Sequence, residues 1–182
     1  MSPLRSAIIF ASAACFGLLW LSGASATAAD DSGEARFIAR NLCPVGQMLN
    51  AVRAGRWKSK DELDHYLIVY PKGRPGAYAQ CAFFDGGLSV HCEIASPFYA
   101  RWNHPPDIAR KPAVARLGYS LDDSKGNYVR EFNLDDETSP PLAEFMLRSL
   151  YESFLDDPET RVMFDSALAK YPPPHDACAP TS

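Results

Sequence analysis

The chain has 182 residues, 47% of them hydrophobic and 22% charged, with 18 basic residues against 22 acidic ones for a net charge of −4. That acidic balance argues against a nucleic-acid-binding domain, which meets phosphate with a basic excess. The apolar fraction is that of an ordinary globular protein, and apart from the N-terminus no apolar stretch approaches membrane-spanning length.

Residues 1–28 have the layout of a secretory signal. Arg5 gives a positive start, residues 7–21 are nearly all apolar, and small residues follow at Ala24, Ala26 and Ala28. The apolar run is about 15 residues, short of the roughly 20 that a spanning helix needs. Cleavage after Ala28 is expected, which leaves residues 29–182 as one domain bound for the periplasm or the exterior of a bacterium. About 150 residues suffice for one core and are too few for two.

Within the domain, residues 34–42 are helix-compatible. Val45, Met48, Leu49 and Val52 then repeat at helical spacing, so Cys43-Pro44 either starts a second helix or kinks a continuous one. Residues 65–70 read as a strand that ends at Pro71, followed by a turn over residues 72–76. Residues 78–84 and 88–94 flank Asp85-Gly86-Gly87, and a Gly-Gly loop predicts a hairpin because both central residues accept positive φ. Residues 96–112 hold four prolines and are irregular, with room for a short helix. Two further strands, 114–121 and 128–134, are predicted around the turn cluster at residues 122–127. Ser139 and Pro140 then signal a helix start, and Leu142, Phe145, Met146, Leu150 and Phe154 form its apolar stripe. Asp157-Pro158 repeats the start signal, with Val162, Met163, Ala167 and Leu168 predicting a second helix. The fold class that results is α+β: a mainly antiparallel five-stranded sheet, three strands and then two, covered by N- and C-terminal helices.

Four cysteines remain after cleavage, an even number in a chain sent to an oxidising space. A Gly86-Gly87 loop sets Phe83 against Val90 and Cys81 against Cys92, within the reach of a disulfide. Cys43 is then left to pair with Cys178. The chain has no Cys-x-x-Cys, and no His at zinc-finger spacing from a Cys, so metal or redox chemistry is not expected of these cysteines.

The segment from Cys81 to Glu93, the Leu117-Gly118-Tyr119-Ser120-Leu121 stretch with Gly126-Asn127-Tyr128, and the helix at 142–154 together resemble the type III secretion chaperone-like proteins of the TY-Chap and YbjN kind. The resemblance spans roughly residues 34–155. It implies a single layer of sheet with helices against it and a non-catalytic role in binding a protein partner, often as a homodimer. It brings no catalytic residues and no cofactor. The signal segment and paired cysteines depart from the family's best-known members, which are cytoplasmic.

Candidate chemistry is sparse. His65, His91, His104 and His175 are scattered, and no Gly-x-Ser-x-Gly or Ser-x-x-Lys pattern is present. The acidic clusters at 122–123, 135–137 and 156–157 sit where turns and helix starts favour Asp, without the alternation of a calcium loop. Arg53, Arg56, Lys58 and Lys60 around Trp57 form the one local basic run. Phe98, Tyr99 and Trp102, three aromatics in an irregular proline-rich stretch, are the candidate partner-binding residues, together with the free edge of the sheet. The sequence therefore predicts a non-catalytic exported binding module. The alternative is a small hydrolase whose groups converge only in three dimensions.

Overall fold

The computed structural model describes residues 32–54, 65–100, 109–121, 126–134 and 141–167, together with Cys178. The export segment lies outside them. Ser32 opens the first helix, its hydroxyl accepting from Ala35 N at 3.2 Å. That helix, α1 (Gly33–Arg53), runs unbroken through Pro44. A proline inside a helix costs about 3 kcal/mol. Here the stripe Phe37, Asn41, Val45, Met48, Leu49 and Val52 is buried on both sides of the proline, and each large apolar member contributes about 1.5–3 kcal/mol. Burial of that face holds the helix through the break.

Strands β1 (Tyr66–Pro71), β2 (Ala79–Phe84) and β3 (Ser89–Ile94) follow, each alternating between buried and half-buried positions. The Gly-Gly hairpin forms in the predicted register, Phe83 opposite Val90 and Cys81 opposite Cys92. Its connection is longer than the two-residue loop of the sequence reading. Asp85–Gly87 make a 3-10 turn in which all three residues have positive φ. After a four-residue helix, α2 (Pro97–Ala100), the chain reaches α3 (Lys111–Arg116), β4 (Tyr128–Asn133), α4 (Leu142–Phe154) and β5 (Val162–Asp165).

The structure corrects two elements. The strand predicted over 114–121 does not form: its first three residues, 114–116, end α3, and a turn follows. Pro112 stands in the first turn of α3, Ala113 and Val114 are buried, and Gly118 at φ 76° turns the chain out. Only Ser120 keeps strand character, as a single bridge to Val129. The helix predicted from Val162 onward begins as an edge strand. Asp157-Pro158 starts a turn instead of a helix, with Glu159 N donating to Asp157 Oδ1 at 2.9 Å and Thr160 N to Asp157 O at 3.3 Å. Asn41, buried on α1, donates to Thr160 O at 3.3 Å and fixes the approach of the chain to β1. Leu168, the last residue of that helical reading, lies outside the described residues. Helix α4 is correctly placed, but the position before its first residue is Pro141, with no side-chain cap, and the predicted cap Ser139 lies outside the described residues.

The sheet is antiparallel throughout, in the order β4-β3-β2-β1-β5. One face is sealed by α1 and α4. Leu67, Val69, Cys81, Phe83, Val90, Cys92, Ile94 and Tyr128 point into that core with Phe145, Met146, Leu147 and Leu150 from α4. Helix α3 packs on α4, where Arg110 N donates to Ser153 O at 3.0 Å.

Both disulfides have the expected pairing. Cys81 and Cys92, with Cα atoms 4.1 Å apart, lie buried on the helix face. Cys43, exposed on α1, is linked to Cys178 across 135 residues. These bonds are consistent with an oxidising, exported compartment. Among the described residues no helix is long and apolar enough to cross a membrane.

Candidate functional site

Strand alternation gives the sheet a second face, away from α1 and α4. Tyr66, Ile68 and Tyr70 of β1, Gln80, Ala82 and Phe84 of β2, and Ser89, His91 and Glu93 of β3 stand on it, all half-buried. Met163 of β5, beside Tyr70, is 42% exposed. The face is thus apolar and aromatic toward β1, carries exposed Met163 and Asp165 on β5, and is acidic toward β3 and β4.

The polar part is organised around His91. The β3–β4 register sets His91 directly opposite Glu131, and ring nitrogen Nδ1 lies 2.8 Å from Glu131 Oε1. The other nitrogen, Nε2, is 3.1 Å from Glu93 Oε1, two residues along the same strand. Glu93 is held in turn, because Asn127 Nδ2 donates to Glu93 Oε2 at 2.6 Å and to the Tyr78 hydroxyl at 2.7 Å. Phe84 meets the imidazole edge-to-face at 6.5 Å. Beside this group opens a cavity of about 560 Å³, within the range of small-ligand pockets, lined by Phe84, Asp85, Ser89, His91 and Glu131 among others.

That arrangement limits the chemistry. A serine nucleophile must bond to its base, but the Ser89 hydroxyl donates to Asp85 Oδ2 at 2.6 Å and both His91 nitrogens face carboxylates. Among the described residues, no three His, Cys, Asp or Glu side chains are placed to hold an ion together. The result is a hydrogen-bonded acidic and aromatic patch on the second face of the sheet.

Of the residues singled out from sequence, Phe98 is half-buried in α2, its N–H donating to Ser96 Oγ at 3.1 Å. Ser96 N donates to Asn127 Oδ1 at 3.4 Å, which ties the start of the aromatic segment to the end of the network that holds Glu93. The Tyr99 side chain and the whole of Trp102 lie outside the described residues. So do Arg56, Trp57, Lys58 and Lys60 of the basic run. Arg53 itself lies along the hairpin at Gly87, on the rim of a smaller hollow of about 400 Å³ floored by Leu49, Phe83, Leu134 and Leu142. Among the acidic clusters, Asp156 pairs with Arg110 at 2.7 Å and Asp157 serves its turn.

The sequence reading did not foresee the His91 group. Glu131 is forty residues away, and the two meet only through the β3–β4 pairing.

No family model, no curated protein and no solved structure matches this chain.

Proposed function

We propose that this is an exported, disulfide-locked protein-binding module, chaperone-like or scaffolding in role, that works in the periplasm or outside the cell without a covalent step of its own. The observation that carries this reading is the asymmetry of the sheet. One face is filled by α1 and α4. The other presents Tyr66, Tyr70, Phe84 and Met163 beside the carboxylates of Glu93 and Glu131. Aromatic and methionine side chains beside a polar rim are the composition of a recognition surface. The sequence resemblance to secretion chaperone-like proteins supports the same reading. The test is affinity capture from the compartment of the producing cell, comparing the natural protein with a Phe84→Ala/His91→Ala variant. A partner held by the first and lost by the second is expected. Equal capture by both would overturn the reading.

A hydrolase is the second reading, favoured by the convergence of His91, Glu131 and Asp85 on one cavity, where these groups and not Ser89 would do the acid–base work. It predicts turnover of a chromogenic ester or glycoside that disappears in His91→Ala. The absence of any His91-dependent turnover removes it.

A further inference from the structure

The outer strand of the sheet has a self-complementary sequence. Strand β5 and the residue before it read Arg161-Val162-Met163-Phe164-Asp165, with a cation at one end, an anion at the other and apolar residues between. Read backwards, the apolar pattern is kept and the charges exchange.

The backbone has matching symmetry. Lys72 N donates to Arg161 O at 2.9 Å, and β1 and β5 continue in the same antiparallel register through Tyr70 opposite Met163 and Ile68 opposite Asp165. Hydrogen-bonded and non-hydrogen-bonded pairs alternate along such a ladder. Arg161, Met163 and Asp165 therefore direct their backbone groups to β1. Val162 and Phe164 direct theirs to the outer edge, which no described strand covers.

We propose that β5 is a homodimerisation strand that pairs antiparallel with β5 of a second copy about a two-fold axis at Met163. In that register Val162 of each copy lies opposite Phe164 of the other, and these are the residues whose N–H and C=O groups point outward. Both pairs hydrogen-bond. Met163 meets its own counterpart, and Arg161 meets Asp165 of the second copy twice, at the more closely spaced non-hydrogen-bonded positions. Arg161 and Asp165 are exposed and have no ion-pair partner among the described residues, so the contact is not made at the expense of one within the protomer.

The two-fold axis stands perpendicular to the sheet, as an isologous strand pair requires. The five-stranded sheets join into one of ten strands, and the open faces of both protomers look the same way. Tyr70 and Met163 of the two copies then lie side by side at the centre of a continuous surface. A strand pair this short buries less than the roughly 1,000 Å² of a permanent interface, so the dimer is reversible and concentration-dependent.

Charge exchange tests the register. Sedimentation equilibrium of the purified, disulfide-bonded protein is expected to show a monomer–dimer equilibrium. Arg161→Asp replaces two attractive cross-strand pairs with two repulsive ones. Each attractive pair is worth up to a few-fold in the dimerisation constant, so association weakens about tenfold. The double variant Arg161→Asp/Asp165→Arg restores the attraction with the charges exchanged and returns the constant to within about threefold of the natural one. The rescue separates a broken interface from a damaged fold. A monomer at every concentration overturns the proposal. So does a dimer indifferent to Arg161→Asp, which places the interface elsewhere. A monomer whose Val162 and Phe164 amides resist hydrogen exchange assigns that edge to a segment of the same chain, and also overturns it.

Discussion

Tyr119 donates its phenolic hydroxyl to Ser149 Oγ at 3.1 Å, and both residues are buried where the turn after α3 meets α4. Burial pushes the Tyr119 phenol well above its ordinary 10.0, against smaller opposing effects of the Ser149 hydrogen bond and the charge of Arg130. The folded chain therefore keeps this proton at a pH where the unfolded chain releases it. The resulting stability is fully present below about pH 10 and is lost as pH rises beyond it. Urea titrations between pH 8 and 11.5 are expected to show that decline. Tyr119→Phe flattens it and costs about 1–2 kcal/mol at neutral pH, because the Ser149 hydroxyl loses its partner.

The two disulfides differ in accessibility and in loop length. Cys81 and Cys92 are 1% and 0% exposed, whereas Cys43 is open to solvent. Limited reduction followed by alkylation and mass mapping is expected to label Cys43 and Cys178 first. In the loop-entropy account the Cys43–Cys178 link, which spans 135 residues, contributes about 5 kcal/mol. The cross-strand link contributes about 3. Cys43→Ala/Cys178→Ala is therefore expected to lower the denaturation midpoint more than Cys81→Ala/Cys92→Ala.

Gly87 and Gly86 separate backbone conformation from contact. Gly87 has φ 91°, and a β-carbon there would lie 3.1 Å from Arg53 Cγ; at Gly86, φ 68°, it would meet nothing within 4 Å. Gly86→Ala pays only the left-handed backbone cost of about 1 kcal/mol. Gly87→Ala adds displacement of the Arg53 stem, so its denaturation midpoint is expected to fall further.

His91 lies between two carboxylates, but Glu131 is 72% exposed, and ion pairs at such positions contribute about 0–1 kcal/mol. Glu131→Gln is therefore expected to leave the midpoint nearly unchanged while weakening capture of the partner. A large loss of stability would instead mark the group as structural.

Much of this fold was legible in the sequence because the signals were local. Gly86-Gly87 fixed the β2–β3 register, and that register brought Cys81 to Cys92. The stripe from Leu142 to Phe154 marked α4. The errors came where local preference was ambiguous and tertiary contact decided. Val114, Leu117, Tyr119 and Leu121 allow a strand reading, but Pro112 and the α4 surface draw residues 114–116 into α3. Val162 to Leu168 fits a helical period until the free edge of β1 draws Val162–Asp165 into the sheet. The His91 group was hidden for the same reason, since a long-range strand pairing leaves no mark at either end.

The central claim is that the open face of the sheet binds a protein. Site-specific photo-cross-linking in the producing cell tests it most directly, with the reactive side chain at Phe84 on that face or at Leu42, 39% exposed on α1. The account predicts a discrete adduct at position 84, of a mass other than a second copy of the chain, and none at position 42. Adducts at both positions alike, or at position 42 alone, would contradict it.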